Sequence, residues 1–202
     1  MLVVAMPTVT DVPTRERILY ASAELFRRQG YAGTGLKQVV AQAEAPFGSL
    51  YHFFPAGKEE LADEVLRSGG RFFLALYESI AESAPDLAST VREFFAGAAD
   101  TLRSTDFADA CPIATVAGEV ASTHEVLRRA SADVFESWLA ALTEDAVEDG
   151  VAPVRARALA LSVLAILEGA FLLGRSLRST EPMDAAGAAA VALVSAALAE
   201  AG

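Results

Sequence analysis

Residues 36–61, LKQVVAQAEAPFGSLYHFFPAGKEEL, compress a short helix, a tight turn and a second short helix that ends in an aromatic cluster and a lone lysine. Leu36, Val39, Val40 and Ala43 fall at the three- and four-residue steps of one apolar face, and Thr34 stands where a residue would cap that helix. Pro46 suits the first turn of the next helix, which can run only from about residue 46 to residue 53 because Pro55 and Gly57 stop it. A helix that short is unstable alone and must be held by its neighbours. Two such helices around a tight turn have the layout of a helix-turn-helix, whose second helix is presented to a DNA groove.

The segment just upstream fits the same unit. Residues 14–30, TRERILYASAELFRRQG, place Ile18, Ala21, Ser22, Leu25 and Phe26 on one helical face and close on a glycine suited to a C-cap. The charge distribution points the same way. The whole chain has 16 basic and 27 acidic residues, a formal charge of −11. Residues 13–58, however, carry Arg15, Arg17, Arg27, Arg28, Lys37 and Lys58 against Glu16, Glu24 and Glu44, six against three, or +3. The remainder holds ten basic against 24 acidic residues, or −14. That segregation attracts phosphate to one end and repels it from the rest, which orients encounter with a duplex.

The residues Thr34, Leu36, Val39, Ala43, Ala45, Gly48, Leu50, Tyr51, His52, Phe54, Lys58, Glu59 and Leu61, taken together, resemble the TetR family of bacterial transcriptional regulators. Three residues stand between Phe54 and Lys58 where the wider family usually has two, which resembles the LmrA- and YxaF-type branch; the segment CPIATVAGEVA, Cys111 to Ala121, resembles that branch as well. The resemblance implies an all-α protein, with an N-terminal three-helix helix-turn-helix domain at residues 13–57 after a tail at 1–12. A larger helical domain at 58–202 would bind a ligand and dimerise. Three departures stand out. Glu44 occupies the interhelical turn where the family commonly has glycine, and a left-handed non-glycine residue costs roughly 1 kcal/mol there. Phe47 sits where polar or basic residues are frequent, and Val40 replaces the usual alanine.

Beyond Leu61 the chain reads as helix throughout. The pattern predicts helices over about 58–83, 87–103, 113–121, 124–148, 154–178 and 184–199, the last two separated by a break at Glu181-Pro182. The helix over about 154–178, whose apolar stretch runs from Ala158 to Gly174, is apolar almost all round from Leu159 to Leu173, and the final one offers Val191, Leu193, Val194 and Leu198 among small residues. A helix apolar on every side needs cover on every side, which a partner subunit's matching helices would supply across a two-fold axis. The TetR resemblance implies the same homodimer, through a four-helix interface. Because the apolar run is short for a bilayer span and contains Glu168, no membrane role is expected. Met1 to Ala5 is too short for a signal peptide. With a single cysteine, the chain is expected in the reducing cytoplasm.

Tyr51 and His52 are the side chains expected to meet operator DNA, with Ser49, Phe47 and Lys37 beside them. Tyr51 has a hydroxyl for a phosphate and a ring to pack on the first helix, and His52 has an N–H for a phosphate or a base edge. Phe53 and Phe54 are better read as packing. Lys58 places a cation in the first turn of its helix, against the helix dipole, which suggests a phosphate partner. Thr34 and the amides beginning the second helix offer another phosphate position. In the larger domain, Phe94, Phe95, Phe107, Trp138 and Phe171 could line a small-molecule site, and Glu168 needs a hydrogen-bond partner, solvent, a pocket or the dimer seam. Cys111 reads as a buried structural thiol, and His124 as a residue at the start of a helix. Two histidines, one cysteine and no glycine-rich phosphate loop offer no catalytic, metal or cofactor constellation. The rival to a regulator is a small-molecule binding or sequestering protein whose DNA binding is weakened by Glu44 and Phe47.

Overall fold

The computed structural model describes residues 12–200, and every regular element among them is an α-helix. The helices are α1 (Thr14–Gln29), α2 (Leu36–Gln42), α3 (Phe47–Phe53), α4 (Lys58–Ser83), α5 (Leu87–Ser104), α6 (Pro112–Val120), α7 (Glu125–Glu148), α8 (Pro153–Leu177) and α9 (Glu181–Ala199). The expected tail, with the apolar Met1 to Ala5, lies outside the described residues as far as residue 11.

α1 and α2 bury the faces their periodicity marks, and Leu50 of α3 and Phe54 just after it join them. Ile18, Phe26, Val39, Leu50 and Phe54 are fully enclosed, and each fully buried side chain of this size contributes about 1.5–3 kcal/mol. The same cluster continues without a gap through Leu61 and Leu66 of α4, Ile113 and Val116 of α6, and Leu127 of α7. A second cluster forms where α5 packs on α9 and α8 packs on both α7 and α9, around Phe95, Leu102, Leu142, Ala160, Met183 and Val194. Phe171 of α8 packs against both clusters.

α4 joins the two regions. Leu61, Ala62, Val65 and Leu66 are buried beneath the short helices, and α4 then crosses α7 at Gly70. A Cβ there would lie 2.5 Å from Val134 Cγ1, so only glycine permits this approach of the two backbones. The Trp138 indole N–H donates to the Gly70 carbonyl at 2.9 Å, which fixes the crossing.

Two expected helix starts need correction. α9 begins at Glu181 and includes Pro182 in its first turn, so the break falls at Ser179 and Thr180 instead of Glu181-Pro182. Proline is tolerated there because its missing N–H is one that a first turn leaves unpaired anyway. Thr34 does not cap α2, whose N-cap is Gly35. The Thr34 hydroxyl turns inward and donates to the Gly30 carbonyl at 2.7 Å, and the residue is buried.

Candidate functional site

α3 is held from below and exposed above. Leu50 and Phe54, four residues apart, sit in the core, while Phe47, Tyr51 and His52 face outward and Ser49 is half-buried. The Phe47 and Tyr51 rings meet edge to face, 5.8 Å between centroids. Tyr51 is thus half exposed beside Phe47, outside the buried core cluster. Phe53 is half-buried and Phe54 enclosed, as packing residues.

The turn between α2 and α3 carries the strain expected of it, for Glu44 adopts φ 48°. Arg17 of α1 holds this turn. Its guanidinium donates to the Ala43 carbonyl at 2.9 Å and to the Glu44 carbonyl at 3.2 Å, charge-assisted bonds that offset part of the conformational cost.

The basic residues of this region are largely engaged. Arg15 pairs with Glu64, Arg27 with Asp109 and Arg28 with Glu24. Lys37 is exposed, and among the described residues no carboxylate lies within ion-pair distance of it. Lys58 is half-buried with its ammonium 4.3 Å from the Tyr31 ring centroid, a cation–π contact that partly repays its position against the α4 dipole. Burial lowers the Lys58 pKa, and Glu119 opposes that shift.

Tyr31 and Glu119 tie this region to the rest of the molecule. The Tyr31 ring meets the His124 ring edge-on at 5.2 Å. Glu119, near the end of α6, accepts a hydrogen bond from the Ala32 amide at 2.8 Å. The chain comes so close that a Cβ on Gly30, at φ 77°, would overlap the Glu119 carboxylate.

A cavity of about 270 Å³ lies between α4, α5, α7 and α8. Such a volume is near the lower end of small-molecule pockets, which are ~300–1,000 Å³. Phe73, Leu76, Tyr77 and Ile80 of α4, Phe94 and Phe95 of α5, Trp138 of α7, and Glu168 and Phe171 of α8 form its walls. Arg27 of α1, Asp109 and Cys111 complete them. Tyr77 donates its hydroxyl to Asp145, and burial together with this carboxylate holds the phenol well above its ordinary pKa. Burial also pushes the Glu168 carboxyl up to about 7, against a hydrogen bond from the Cys111 thiol. The Cys111 thiol is itself pushed up by burial and by Glu168, the opposite of an activated thiolate.

The structure therefore brings together five of the six residues expected at a ligand site: Phe94, Phe95, Trp138, Glu168 and Phe171. Phe107 is elsewhere. It adopts φ 60° after α5, which turns its ring toward Arg178, the C-cap of α8, 5.8 Å away. Phe72 of α4 is likewise exposed and outside the cavity wall, whereas Phe73, Leu76 and Tyr77 line it. Arg27, Asp109 and Cys111 were not anticipated at the cavity. Cys111 carried a partial signal as the residue before Pro112, an N-cap position, and its sulfur does accept from the Ala114 amide.

α8 and α9 leave an apolar face uncovered. Leu161, Leu172, Leu173 and Leu177 of α8 and Leu193 of α9 are exposed, Leu172 to 69% and Leu193 to 44%. Val194 is fully buried within its own subunit, so its expected place at an intersubunit face is incorrect. The spacing of α9 turns Leu193 outward and Val194 toward the α5 side of the helix.

A model of the TetR family of bacterial regulatory proteins matches residues 18–65, and a model of the LmrA/YxaF-like transcriptional regulator C-terminal domain matches residues 88–189. The chain is 34% identical over 170 residues to YxaF of Bacillus subtilis, an uncharacterized helix-turn-helix-type transcriptional regulator, covering 84% of this chain and 89% of that protein. It is 31% identical over 170 residues to the transcriptional regulator LmrA of the same organism, covering 84% and 90%. A TetR transcriptional regulator from Legionella pneumophila shares the fold, with a TM-score of 0.81 over 89% of this chain and 96% of that one at 19% identity.

Proposed function

Because the chain belongs to the TetR family of bacterial regulatory proteins, in its LmrA/YxaF-like branch, we propose that it is a cytoplasmic repressor that leaves its operator when a small molecule fills the cavity. One observation carries the proposal: α4 starts at Lys58 beside the helix-turn-helix and lines the cavity with Phe73, Leu76 and Tyr77, so a single rigid element touches both sites. α1 supplies a second connection, since Arg27 is part of the cavity wall.

On this reading the DNA contacts come from Lys37, Phe47, Ser49, Tyr51 and His52, with Lys58 at the edge. Thr34 drops out because its hydroxyl is spent inside. The exposed leucines of α8 and α9 cover those of a second subunit across a two-fold axis. The two helices are long and apolar enough to cross a membrane, but a dimer seam accounts for that character in a DNA-binding family. Two recognition helices must then match successive major-groove faces about 34–36 Å apart or a multiple, so a small rotation of each α4 loses both half-sites together. The protein acts by binding and performs no catalysis. The rival sequestering role is not favoured, since the helix-turn-helix match spans Glu44 and Phe47.

The test is a gel-shift titration with the DNA flanking the protein's own gene. A specific, salt-sensitive complex supports the proposal, and equal affinity for that DNA and unrelated DNA would sink it.

A further inference from the structure

The polar groups around the cavity are unbalanced in one direction. Three of its side-chain donors are engaged: Tyr77 donates to Asp145, the Trp138 indole to the Gly70 carbonyl, and the Thr101 hydroxyl to the Gly97 carbonyl. Arg27 Nε and Asp109 Oδ1 are both buried without a well-aligned hydrogen bond, but they face each other at 2.9 Å and their charges offset. One acceptor is left over: Oε1 of Glu168 is buried without a hydrogen-bond partner. Glu168 has only the Cys111 thiol, a weak donor. Arg27, Asp109 and Glu168 are the charged residues of the lining, one cation against two carboxylates, and the remaining wall is mostly apolar. A buried carboxylate oxygen without a partner costs free energy that a ligand donor recovers, whereas a ligand acceptor placed beside Glu168 meets repulsion.

We propose that the cavity selects hydrogen-bond donors, and that its ligand is an apolar, ring-bearing molecule whose protonated amine pairs with Glu168. The excess carboxylate favours a cation over a neutral hydroxyl, and the Phe73, Tyr77, Phe94 and Trp138 rings give such a cation faces to rest on. An anionic head group, such as that of a fatty acid, is repelled from the same position. This ligand class rests on the reading of the cavity as the effector site.

Three probes of matched size test it: phenylbutylamine, phenylbutanol and phenylbutanoate, each titrated into the full-length protein at mildly alkaline pH. Trp138 is the sole tryptophan and borders the cavity, so its fluorescence reports occupancy directly. The amine is expected to bind about tenfold or more tighter than the alcohol, since a hydrogen bond to a charged group is worth about 1.5 kcal/mol or more, and the acid weakest. Glu168→Gln should bring the amine down to the alcohol's affinity and leave the alcohol nearly unchanged. The wild-type order stands without the variant. Phenylbutanoate binding as tightly as the amine, or no response to any probe, would overturn the proposal. Operator release is scored separately: an amine that binds in the expected order yet leaves the DNA complex intact upholds Glu168 and overturns the effector reading.

Discussion

Arg27 of α1 pairs with Asp109 of the α5–α6 loop at 2.9 Å, and both residues border the cavity. A helix of the helix-turn-helix unit is thereby fastened to the wall of the cavity. Glu119 makes a parallel tie at the other end of α6, on the Ala32 amide. α6 is bounded at both ends by contacts to the loop and helix that carry the short helices, so moving its N-terminus pulls on α1 directly, independently of α4. Population shift needs this kind of element, one whose position differs in energy between the empty and filled cavity.

The pair is asymmetric. The Asp109 side chain is 8% exposed and that of Arg27 32%. Arg27→Ala strands a buried carboxylate and should cost about 3 kcal/mol of stability, whereas Asp109→Ala leaves a guanidinium that reaches water and should cost about 1 kcal/mol. Urea denaturation of the two variants measures the difference, and equal losses would contradict it.

Glu44 at φ 48° is the strained point of the helix-turn-helix. Glu44→Gly removes the strain and a negative charge beside α3 while keeping the carbonyl that Arg17 grips. Thermal unfolding should rise by an amount equivalent to about 1 kcal/mol. Operator affinity should rise with it, as a gel shift would detect, and a destabilised Gly variant would mean that the Glu44 side chain has a favourable partner.

Lys37 and Lys58 differ in surroundings, and salt dependence separates them. Lys37→Ala should weaken binding to all DNA sequences and make the slope of log affinity against log salt shallower by about 0.9. Lys58→Ala should do the same if its ammonium leaves the Tyr31 ring for a phosphate. An unchanged slope would confine Lys58 to holding Tyr31.

Much of this was legible in the sequence because the signals are local. Gly57 and Pro85 bound α4, and the expected residues 58–83 are those observed. The faces of α1 and α2 follow from their period, down to Ile18, Phe26 and Val39. The α2 cap was misplaced because a threonine hydroxyl has two local uses, and here it bonds back to Gly30. Phe107 was misplaced because its direction depends on two successive left-handed residues, Asp106 and Phe107, neither a glycine. Arg27 and Asp109 carried no signal, since a pair formed between a helix and a loop distant in sequence leaves no periodicity. The charge count over residues 13–58 was correct, yet it omitted Glu64, which the fold returns to Arg15.

The dimer prediction follows from exposure. Leu172→Arg or Leu193→Arg should give a folded monomer, because both side chains point away from their own core. Val194→Arg should unfold the chain, since overfilling a closed site with a charge has nowhere to relax. Sedimentation and circular dichroism distinguish the outcomes, and a wild-type monomer at micromolar concentration would remove the interface altogether.

Glu168 gives stability a pH dependence of defined sign. Its folded pKa of about 7 lies above the ordinary 4.5, so between these values the folded state binds more protons than the unfolded one. Stability contributed by this group is therefore intact at acid pH, falls as pH rises through the window, and above it the whole cost of a buried charge remains. That cost is on the order of 3 kcal/mol. The Cys111 thiol beside it is pushed further upward and titrates outside the window, and Asp109 is countered by Arg27. Glu168→Gln stays neutral throughout. At fixed protein concentration, wild type and variant should have similar urea midpoints near ~pH 5, and the variant should pull ahead toward ~pH 8. Parallel curves across that range would show that Glu168 reaches water, and with it the unmet acceptor in the cavity would disappear.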